Sequence, residues 1–264
     1  MKFISITFDD GRKDNYIRAY PIMSRYNMPA TVFVTTGFVD GTWKKEESWL
    51  SAGEALSIDE LRLLKQAGWE IGVHGDKHIT DIEDTKISIE KLNLWLGSNT
   101  RYGFSVPNSN ADTEKMAEIE EECSLEGRLS YIRRGRGRNT RSIVSKALFA
   151  LYSFLKLQWA YNRFNAPSIN NLMSIDLKKI KSIVIRNNDN PVMMRRFIEQ
   201  VPDNSLVVFM LHSILKEGDL LYDADPWCWD SKCFEKFCCD LSMLENKGEV
   251  TVIPLERVKQ YDQI

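Results

Sequence analysis

A run of β-branched and aromatic residues near the start of the chain ends in two adjacent carboxylates and a glycine. Residues 3–8 read FISITF, which predicts a buried strand because the run is apolar, too short for a helix and followed by a turn signal. Asp9 and Asp10 come next, and successive side chains of a strand leave on opposite sides. One carboxylate can therefore face a metal ion while its neighbour faces a water molecule. The alternative for this stretch alone is an Asp-Gly turn with two solvated acids.

Apolar strands alternate with helices along the rest of the chain. Further strands are predicted at residues 30–35, 69–74, 102–106, 129–132, 175–178, 183–186, 205–211 and 250–253. Helices are predicted at residues 14–26, 57–65, 84–96, 113–122, 142–164, 191–200 and 230–244, with a last helix after residue 253. This alternation indicates a parallel sheet covered on both faces. Apart from the weaker runs at residues 175–178 and 183–186, there are about seven such strands, which favour a barrel over an open sheet, and we expect residues 1–264 to form that one domain.

Composition narrows the class of protein. A net charge of -2 and a pI near 6.0 argue against a nucleic-acid binder that neutralises phosphates. The start of the chain runs directly into the first strand, so we expect no secretory signal, and no apolar run is long enough to span a membrane. The five cysteines lack the paired spacing of a zinc site. These features predict reduced thiols and a cytoplasmic protein.

The three histidines of the chain all follow predicted strands. His74 and His78 come at the end of the strand at residues 69–74, and His212 follows the most apolar strand. Since the carboxyl ends of parallel barrel strands share one face, we expect these histidines to lie near Asp9 and Asp10. Two imidazoles with one carboxylate form a facial triad that leaves coordination positions open. Two ordinary histidines on a turn are the alternative for His74 and His78.

Three motifs carry a resemblance to a known family. They are TFDDG at residues 7–11, HGDKH at residues 74–78 and LHSI at residues 211–214. With the framework runs PATVFV at residues 29–34 and GWEIG at residues 68–72, the chain resembles the polysaccharide deacetylase family, the NodB-homology domain of carbohydrate esterase family 4. The resemblance covers residues 3–107 and 206–214.

The resemblance implies a distorted (β/α) barrel and metal-dependent removal of N- or O-acetyl groups from sugars. It implies that Asp10, His74 and His78 hold one divalent ion, that Asp9 is the general base and that His212 is the general acid. A bound ion makes hydroxide available at neutral pH, and a carboxylate outside the ligand set can take the proton of the attacking water. Nitrogen and oxygen ligands suit zinc, our first choice, and also cobalt, nickel or manganese.

Substrate contacts are predicted around the same face. Asn108 is the first backbone N–H donor after Pro107 and matches the place of the family's oxyanion donor. Leu211 could wall a pocket for the acyl methyl group or belong to the core. Trp227 follows His212 within the length of a loop and could stack on a sugar or be structural. The same two alternatives apply to Trp229, Trp43 and Trp49.

Two family features are altered or unplaced. The family usually has an arginine two residues before the proline of its third motif, paired with the base, whereas this chain has Ser105 there. Arg133, Arg134 or Arg136 could supply the charge, or could form a solvated basic loop. The acid that orients the catalytic histidine has two candidates: Asp176 and Asp189.

The function predicted is that of a cytoplasmic, metal-dependent N-deacetylase acting on a nucleotide- or lipid-linked precursor of a surface polysaccharide. A deformylase or amidase acting on another C–N bond is one alternative, and a non-catalytic relative that binds metal and sugar is the other. Residues 133–164 combine arginines with an apolar helix. They could lie on the inner face of a membrane, or the helix could pack on the barrel.

Overall fold

A mostly parallel β-sheet forms the centre of the protein. The computed structural model describes residues 1–43, 53–109, 113–124, 126–135 and 142–261. The strands are β1 (Lys2–Phe8), β2 (Thr31–Val34), β3 (Glu70–Val73), β4 (Tyr102–Ser105), β5 (Leu129–Arg134), β6 (Asn170–Asn171), β7 (Ile180–Lys181), β8 (Ile183–Val184), β9 (Ser205–Leu211), β10 (Ser213–Leu215), β11 (Cys228–Asp230) and β12 (Val250–Val252).

Helices follow most of these strands. They are α1 (Tyr20–Ser24), α2 (Thr36–Val39), α3 (Ile58–Gln66), α4 (Ile82–Leu96), α5 (Thr113–Glu122), α6 (Ile143–Leu155), α7 (Gln158–Asn165), α8 (Pro191–Gln200) and α9 (Ser231–Asn246). A π-helical turn, Asn15–Ala19, comes before α1, and a 3₁₀ helix spans Leu255–Tyr261. Among the described residues, none of these helices has the length and apolarity that a bilayer crossing requires.

The sheet curls until its two edges nearly meet. Its strands follow the order β6-β9-β1-β2-β3-β4-β5-β7, and only β6 runs antiparallel to its neighbour in this path. One residue separates β7 from β8; β7 pairs with β5, whereas β8 pairs with β9. Residues 180–184 therefore join the two edges. The prediction of a distorted (β/α) barrel of about seven parallel strands is confirmed.

The two-residue repeat of the strands divides the core into an inner and an outer layer. Inside the barrel, Phe3, Phe33, Tyr131 and Val208 pack against residues of the last 3₁₀ helix. The alternate positions of the strands pack outward against the helices in a larger apolar cluster. Gly103 pairs in register with Tyr131, and a side chain there would overlap the tyrosine ring.

The amino-terminal end of the barrel is closed by a buried polar cluster around Glu70. The Glu70 carboxylate accepts hydrogen bonds from the Tyr131 hydroxyl at 2.7 Å, from the Thr31 hydroxyl at 2.8 Å and from the Glu256 backbone N–H at 2.8 Å. Burial is the main cause that raises the pKa of Glu70 to about 7. This end of the barrel is therefore filled, and the open end is at the strand carboxyl termini.

Several predicted elements change in detail. The helix predicted at residues 142–164 is two helices, because Lys156 adopts a left-handed conformation with φ 52° and lets α7 fold back on α6. There, the Tyr152 ring meets the Tyr161 ring at 5.2 Å. The strand predicted at residues 175–178 is wrong, since Asp176 accepts hydrogen bonds from the backbone N–H of Lys178 and Lys179 in a turn. The structure has all five cysteines as free thiols.

Candidate metal centre and active site

Three predicted ligands meet at the carboxyl ends of β1 and β3. Asp10 Oδ1 lies 3.6 Å from His74 Nε2 and 3.5 Å from His78 Nε2, and the two Nε2 atoms are 3.2 Å apart. Ligands around a tetrahedral ion with bonds of about 2.0–2.1 Å are separated by about 3.3 Å. The group has the spacing of three ligands of one divalent ion.

The hydrogen bonds around the group leave its inner atoms available. His74 Nδ1 lies 2.8 Å from the Ser105 carbonyl oxygen, which can only accept, so the proton is on Nδ1 and the Nε2 lone pair faces Asp10. A metal-binding histidine is usually oriented by such a bond. Asp10 Oδ2 is buried without a hydrogen-bond partner, an arrangement that costs free energy unless something fills it. These residues fit a cation.

Burial shifts the pKa values of two of the three ligands, Asp10 and His74. Burial, then repulsion from Asp9, raises the pKa of Asp10 to about 8. Burial lowers the pKa of His74 to about 3, so its ring is neutral at pH 7, as a metal ligand must be. Asp10 is the ligand that must lose a proton when an ion binds.

Backbone conformation brings these ligands together. Asp10 has φ 79° and His78 has φ 55°, in a region that residues other than glycine rarely adopt. Strand alternation would put the Asp10 side chain on the outer face of β1, but the left-handed turn brings it to the barrel mouth. Asp84 of α4 holds the loop between the histidines, because its carboxylate accepts the backbone N–H groups of Asp76 and Lys77 at 2.8 and 2.9 Å.

Asp9 lies beside the metal group but is bound to an arginine. Its Oδ2 is 3.9 Å from His74 Nε2. Arg133 of β5, which is 0% exposed, donates from Nη2 to Oδ1 at 2.7 Å and to Oδ2 at 2.5 Å. Ser105 Oγ donates to the same carboxylate at 3.3 Å. Of the two candidate arginines that the structure describes, Arg133 is the one that supplies the charge.

The structure describes one of the other two candidate arginines. Arg134 pairs with Glu120 at the surface, and Arg136 lies outside the described residues. A signal for Arg133 was present in the sequence. In β5 it follows Tyr131 by two positions, so strand alternation puts both side chains inside the barrel, whereas the predicted strand ended at residue 132.

His212 follows β9, and its backbone is fixed by a buried polar network that the sequence analysis missed. Asn15 Nδ2 donates to the His212 carbonyl at 2.8 Å, and Asp14 Oδ1 accepts from the Ile214 N–H at 2.8 Å. Asp225 accepts from the Ser213 hydroxyl at 2.9 Å. Burial lowers the pKa of His212 to about 3, while the Asp9 charge acts in the opposite direction.

The predicted substrate residues lie around this centre with different surroundings. Trp227 is half-buried, with its ring 5.6 Å from the His212 ring. Leu211 is buried in the outer apolar cluster, and its carbonyl accepts the Asp9 N–H at 2.9 Å. Asn108 is exposed in the 3₁₀ turn after β4, with φ 56°. Trp43 stacks on His78 with 6.3 Å between ring centroids, and Trp49 lies outside the described residues.

The two acids that could orient His212 differ in burial. Asp176 is exposed and pairs with Lys179, so it is not part of the site. Asp189 is buried, and its backbone carbonyl accepts from Trp229 Nε1 at 3.0 Å. Burial raises the pKa of Asp189 to about 6. The role of Asp189 towards His212 stays a prediction.

Comparison with known proteins finds a family match in the amino-terminal part of the chain. Residues 1–126 match the model of the polysaccharide deacetylase family, the family that the motifs at residues 7–11 and 74–78 predict. The chain is 54% identical over 128 residues to Bacillus subtilis YxkH, which is named by inference as a polysaccharide deacetylase. That match covers 44% of this chain and 41% of YxkH, so this chain spans less than half of that relative.

Solved structures extend the likeness to the whole fold. A family 4 acetyl xylan esterase from Clostridium thermocellum, in complex with a cobalt ion, is 14% identical with a TM-score of 0.54, covering 99% of this chain and 92% of that one. A CE4 family pseudoenzyme from Bacillus anthracis is 10% identical with a TM-score of 0.51, covering 97% and 64%. At these identities the likeness concerns the fold alone.

Proposed function

We propose that this chain, which residues 1–126 assign to the polysaccharide deacetylase family, is a metal-dependent hydrolase that removes the N-acetyl group of a sugar. One observation carries the proposal. A group with the spacing of a metal site, Asp10 with His74 and His78, lies beside Asp9, whose Oδ2 is 3.9 Å from a ligand nitrogen. A carboxylate in that place can act on a water molecule that an ion would bind.

The side chains divide the chemistry between them. Asp10, His74 and His78 would hold the ion, which when bound supplies a Lewis acid that lowers the pKa of water towards about 7. Asp9 takes the proton of the attacking water at its carboxylate. Arg133 donates a hydrogen bond to the Asp9 carboxylate and fixes its orientation. Burial at the barrel mouth strengthens each of these interactions.

Departure of the amine requires a proton donor. His212, which follows β9 and is held by Asn15 through its backbone carbonyl, would supply the proton. Since burial lowers its pKa to about 3, the ring is neutral at pH 7 and must take a proton from solvent before it can donate one to the amine. The Asp9 charge, which is present until Asp9 accepts the proton of the attacking water, acts to raise the pKa of His212 and so favours that uptake.

The remaining details are also proposals. Zinc is the first choice for the ion, with cobalt, nickel and manganese as alternatives, because the ligands are nitrogen and oxygen. The substrate would be a nucleotide- or lipid-linked amino sugar of a surface polysaccharide, in the cytoplasm. Trp227 would contact the sugar, and the Asn108 N–H would donate to the oxyanion. Leu211 is buried in the outer apolar cluster, which supports the alternative that it belongs to the core.

The test is turnover by the metal-loaded protein against Asp9→Asn. Wild type should release acetate from an N-acetylated sugar, and the variant should lose about 10²–10⁴-fold in rate with unchanged metal content. Asp203→Asn is the matched control, because Asp203 is exposed and pairs with the amino terminus. An unchanged rate in Asp9→Asn would remove Asp9 from the mechanism.

A non-catalytic relative is the second candidate, since one solved neighbour is a pseudoenzyme and Ser105 replaces the usual arginine. The same protein tested on a panel of nucleotide- and lipid-linked sugars separates the possibilities. Released formate in place of acetate would indicate a deformylase. Sugar and metal binding without release of any acyl group would support the binding protein.

A further inference from the structure

The outward face of α6 and the start of α7 is apolar although it is exposed. On α6 the exposed side chains follow helical spacing, with Ile143 at 86% and Phe154 at 81% exposure, and Val144 and Leu155 beside them. Trp159 on α7 is also exposed. The opposite face of α6 is covered, since Leu148 and Tyr152 are buried in the core. The helix is thus anchored by one face and presents a second apolar face outward, which commonly marks an interaction site.

The segment of chain that carries this face is basic in sequence. Residues 127–175 contain nine arginines and lysines and no aspartate or glutamate, in a chain whose net charge is -2. Among the described residues of the two helices, Lys146, Lys156 and Arg163 are exposed. Apolar side chains flanked by cations match the interface of an anionic bilayer, whose acyl boundary takes the apolar groups and whose headgroups take the cations.

The same helix is linked to the rim of the candidate active site through stacked side chains. The Arg186 guanidinium lies 4.8 Å from the Phe149 ring of α6 and 4.9 Å from the Trp227 ring. The Trp227 ring is in turn 5.6 Å from His212. A surface that binds α6 is therefore connected through two side chains to the mouth of the barrel.

We propose that the face formed by Ile143, Val144, Phe154, Leu155 and Trp159, with Lys146 and Lys156, binds the surface of an anionic phospholipid membrane. This narrows the contact predicted at residues 133–164, because Arg133 is buried inside the barrel. Binding through this face would hold the barrel mouth near the headgroups. The further conclusion that the sugar is carried by a lipid depends on the proposed function, whereas the membrane contact does not.

Vesicle flotation of the metal-loaded protein tests the contact. The protein should float with phosphatidylcholine vesicles that contain about one third phosphatidylglycerol, should remain unbound with pure phosphatidylcholine, and should be released by high salt. Lys146→Gln with Lys156→Gln should weaken binding about 30-fold, since each lysine near an anionic surface contributes about fivefold. Phe154→Ser with Leu155→Ser should weaken it at least about tenfold.

Matched controls test whether vesicle binding requires this face or only an exposed apolar side chain. Leu220→Ser removes another exposed leucine, at 89% exposure, and should leave binding unchanged. Brominated lipids should quench the tryptophan fluorescence of wild type more than that of Trp159→Phe. Asp9→Asn should bind vesicles as wild type does, so that failure of the catalytic proposal and failure of this one are distinguishable.

Two results would overturn the proposal. One is the absence of flotation with anionic vesicles at low salt for a protein that is folded by circular dichroism. The other is self-association in light scattering that Phe154→Ser with Leu155→Ser abolishes, without vesicle binding, which would assign the face to a second copy of this chain.

Discussion

Arg133 Nη2 lies 2.7 Å from Asp9 Oδ1 although 124 positions separate the two residues in the chain. Both side chains are buried, and Ser105 contributes a further hydrogen bond to Asp9 at 3.3 Å. A buried carboxylate keeps its charge only when it is paired. The resemblance predicts an arginine at the position of Ser105 in β4, and the charge beside Asp9 comes instead from Arg133 of the neighbouring strand β5, which pairs with Ser105 in register.

Removal of this arginine should affect turnover and stability together. Arg133→Met keeps the length of the side chain but leaves the Asp9 carboxylate unpaired, so we expect about 3–5 kcal/mol less stability and a kcat lowered at least about 10²-fold. Arg133→Lys keeps a charge but loses the forked geometry, and its losses should be smaller. Denaturant unfolding and steady-state kinetics measure both.

Two further variants test whether the stability loss comes from the ion pair between Arg133 and Asp9. Arg134→Met removes the adjacent arginine, which pairs at the surface with Glu120, and should cost about 1 kcal/mol or less. Arg133→Met combined with Asp9→Asn should be more stable than Arg133→Met alone, because the buried charge is removed as well. Strict additivity of the two stability losses would contradict the ion pair.

Metal affinity should depend on pH through Asp10. The carboxyl must be ionised to bind a cation, and its pKa is raised by burial and by Asp9 to about 8. Metal affinity should therefore rise by about tenfold per pH unit below pH 8 and level off above it. His74 adds nothing in this range, because its pKa is lowered to about 3. Zinc titration calorimetry in buffers of different ionisation enthalpy should detect about one proton released per ion at pH 7.

Asp9→Asn provides the internal check on that titration. It removes the repulsion that contributes to the raised pKa of Asp10. The pH above which metal affinity stops rising should therefore be lower in Asp9→Asn than in wild type, and fewer protons should be released per ion at pH 7. Zinc binding with no dependence on pH between about 5 and 8 would contradict a protonated Asp10.

How far the sequence predicts this site depends on strand geometry. Asp9 and His74 lie on inward phases of β1 and β3, so alternation and the shared strand ends bring them together, as predicted. Arg133 was one of three candidates because the predicted strand stopped at residue 132, one position before the inward phase. Asn15 and Asp225 were missed because they bond the His212 carbonyl and the Ser213 hydroxyl from other segments of the chain, which no local pattern reveals.

The position of His212 should depend on Asn15. Asn15→Ala removes the donor to the His212 carbonyl at 2.8 Å, which should cost about 1 kcal/mol of stability and lower kcat several-fold, with metal content unchanged. Asn162→Ala is the control, since Asn162 donates to Gln200 at the surface. A fall in metal content in Asn15→Ala, measured by emission spectrometry, would show that the residue supports the ligands and not His212.

The closed end of the barrel should make stability depend on pH through Glu70. Its pKa is raised to about 7, above the ordinary value in the unfolded chain, so the folded state loses stability as pH rises through 7. Tyr131→Phe removes the 2.7 Å bond to this carboxylate. The loss should be about 1.5–3 kcal/mol near pH 8.5, where Glu70 is ionised, and about 0.5–1.5 kcal/mol near pH 5.5, where it is neutral.

Tyr102→Phe is the matched control for this last effect. The Tyr102 hydroxyl donates to the Asn93 side chain at 3.0 Å, a neutral acceptor, so its loss should be equal at both pH values. Denaturant unfolding of the two variants at both pH values measures the difference. A loss in Tyr131→Phe that does not grow with pH would mean that Glu70 is ionised throughout. In that case the three donors to its carboxylate, and not burial, would determine its charge.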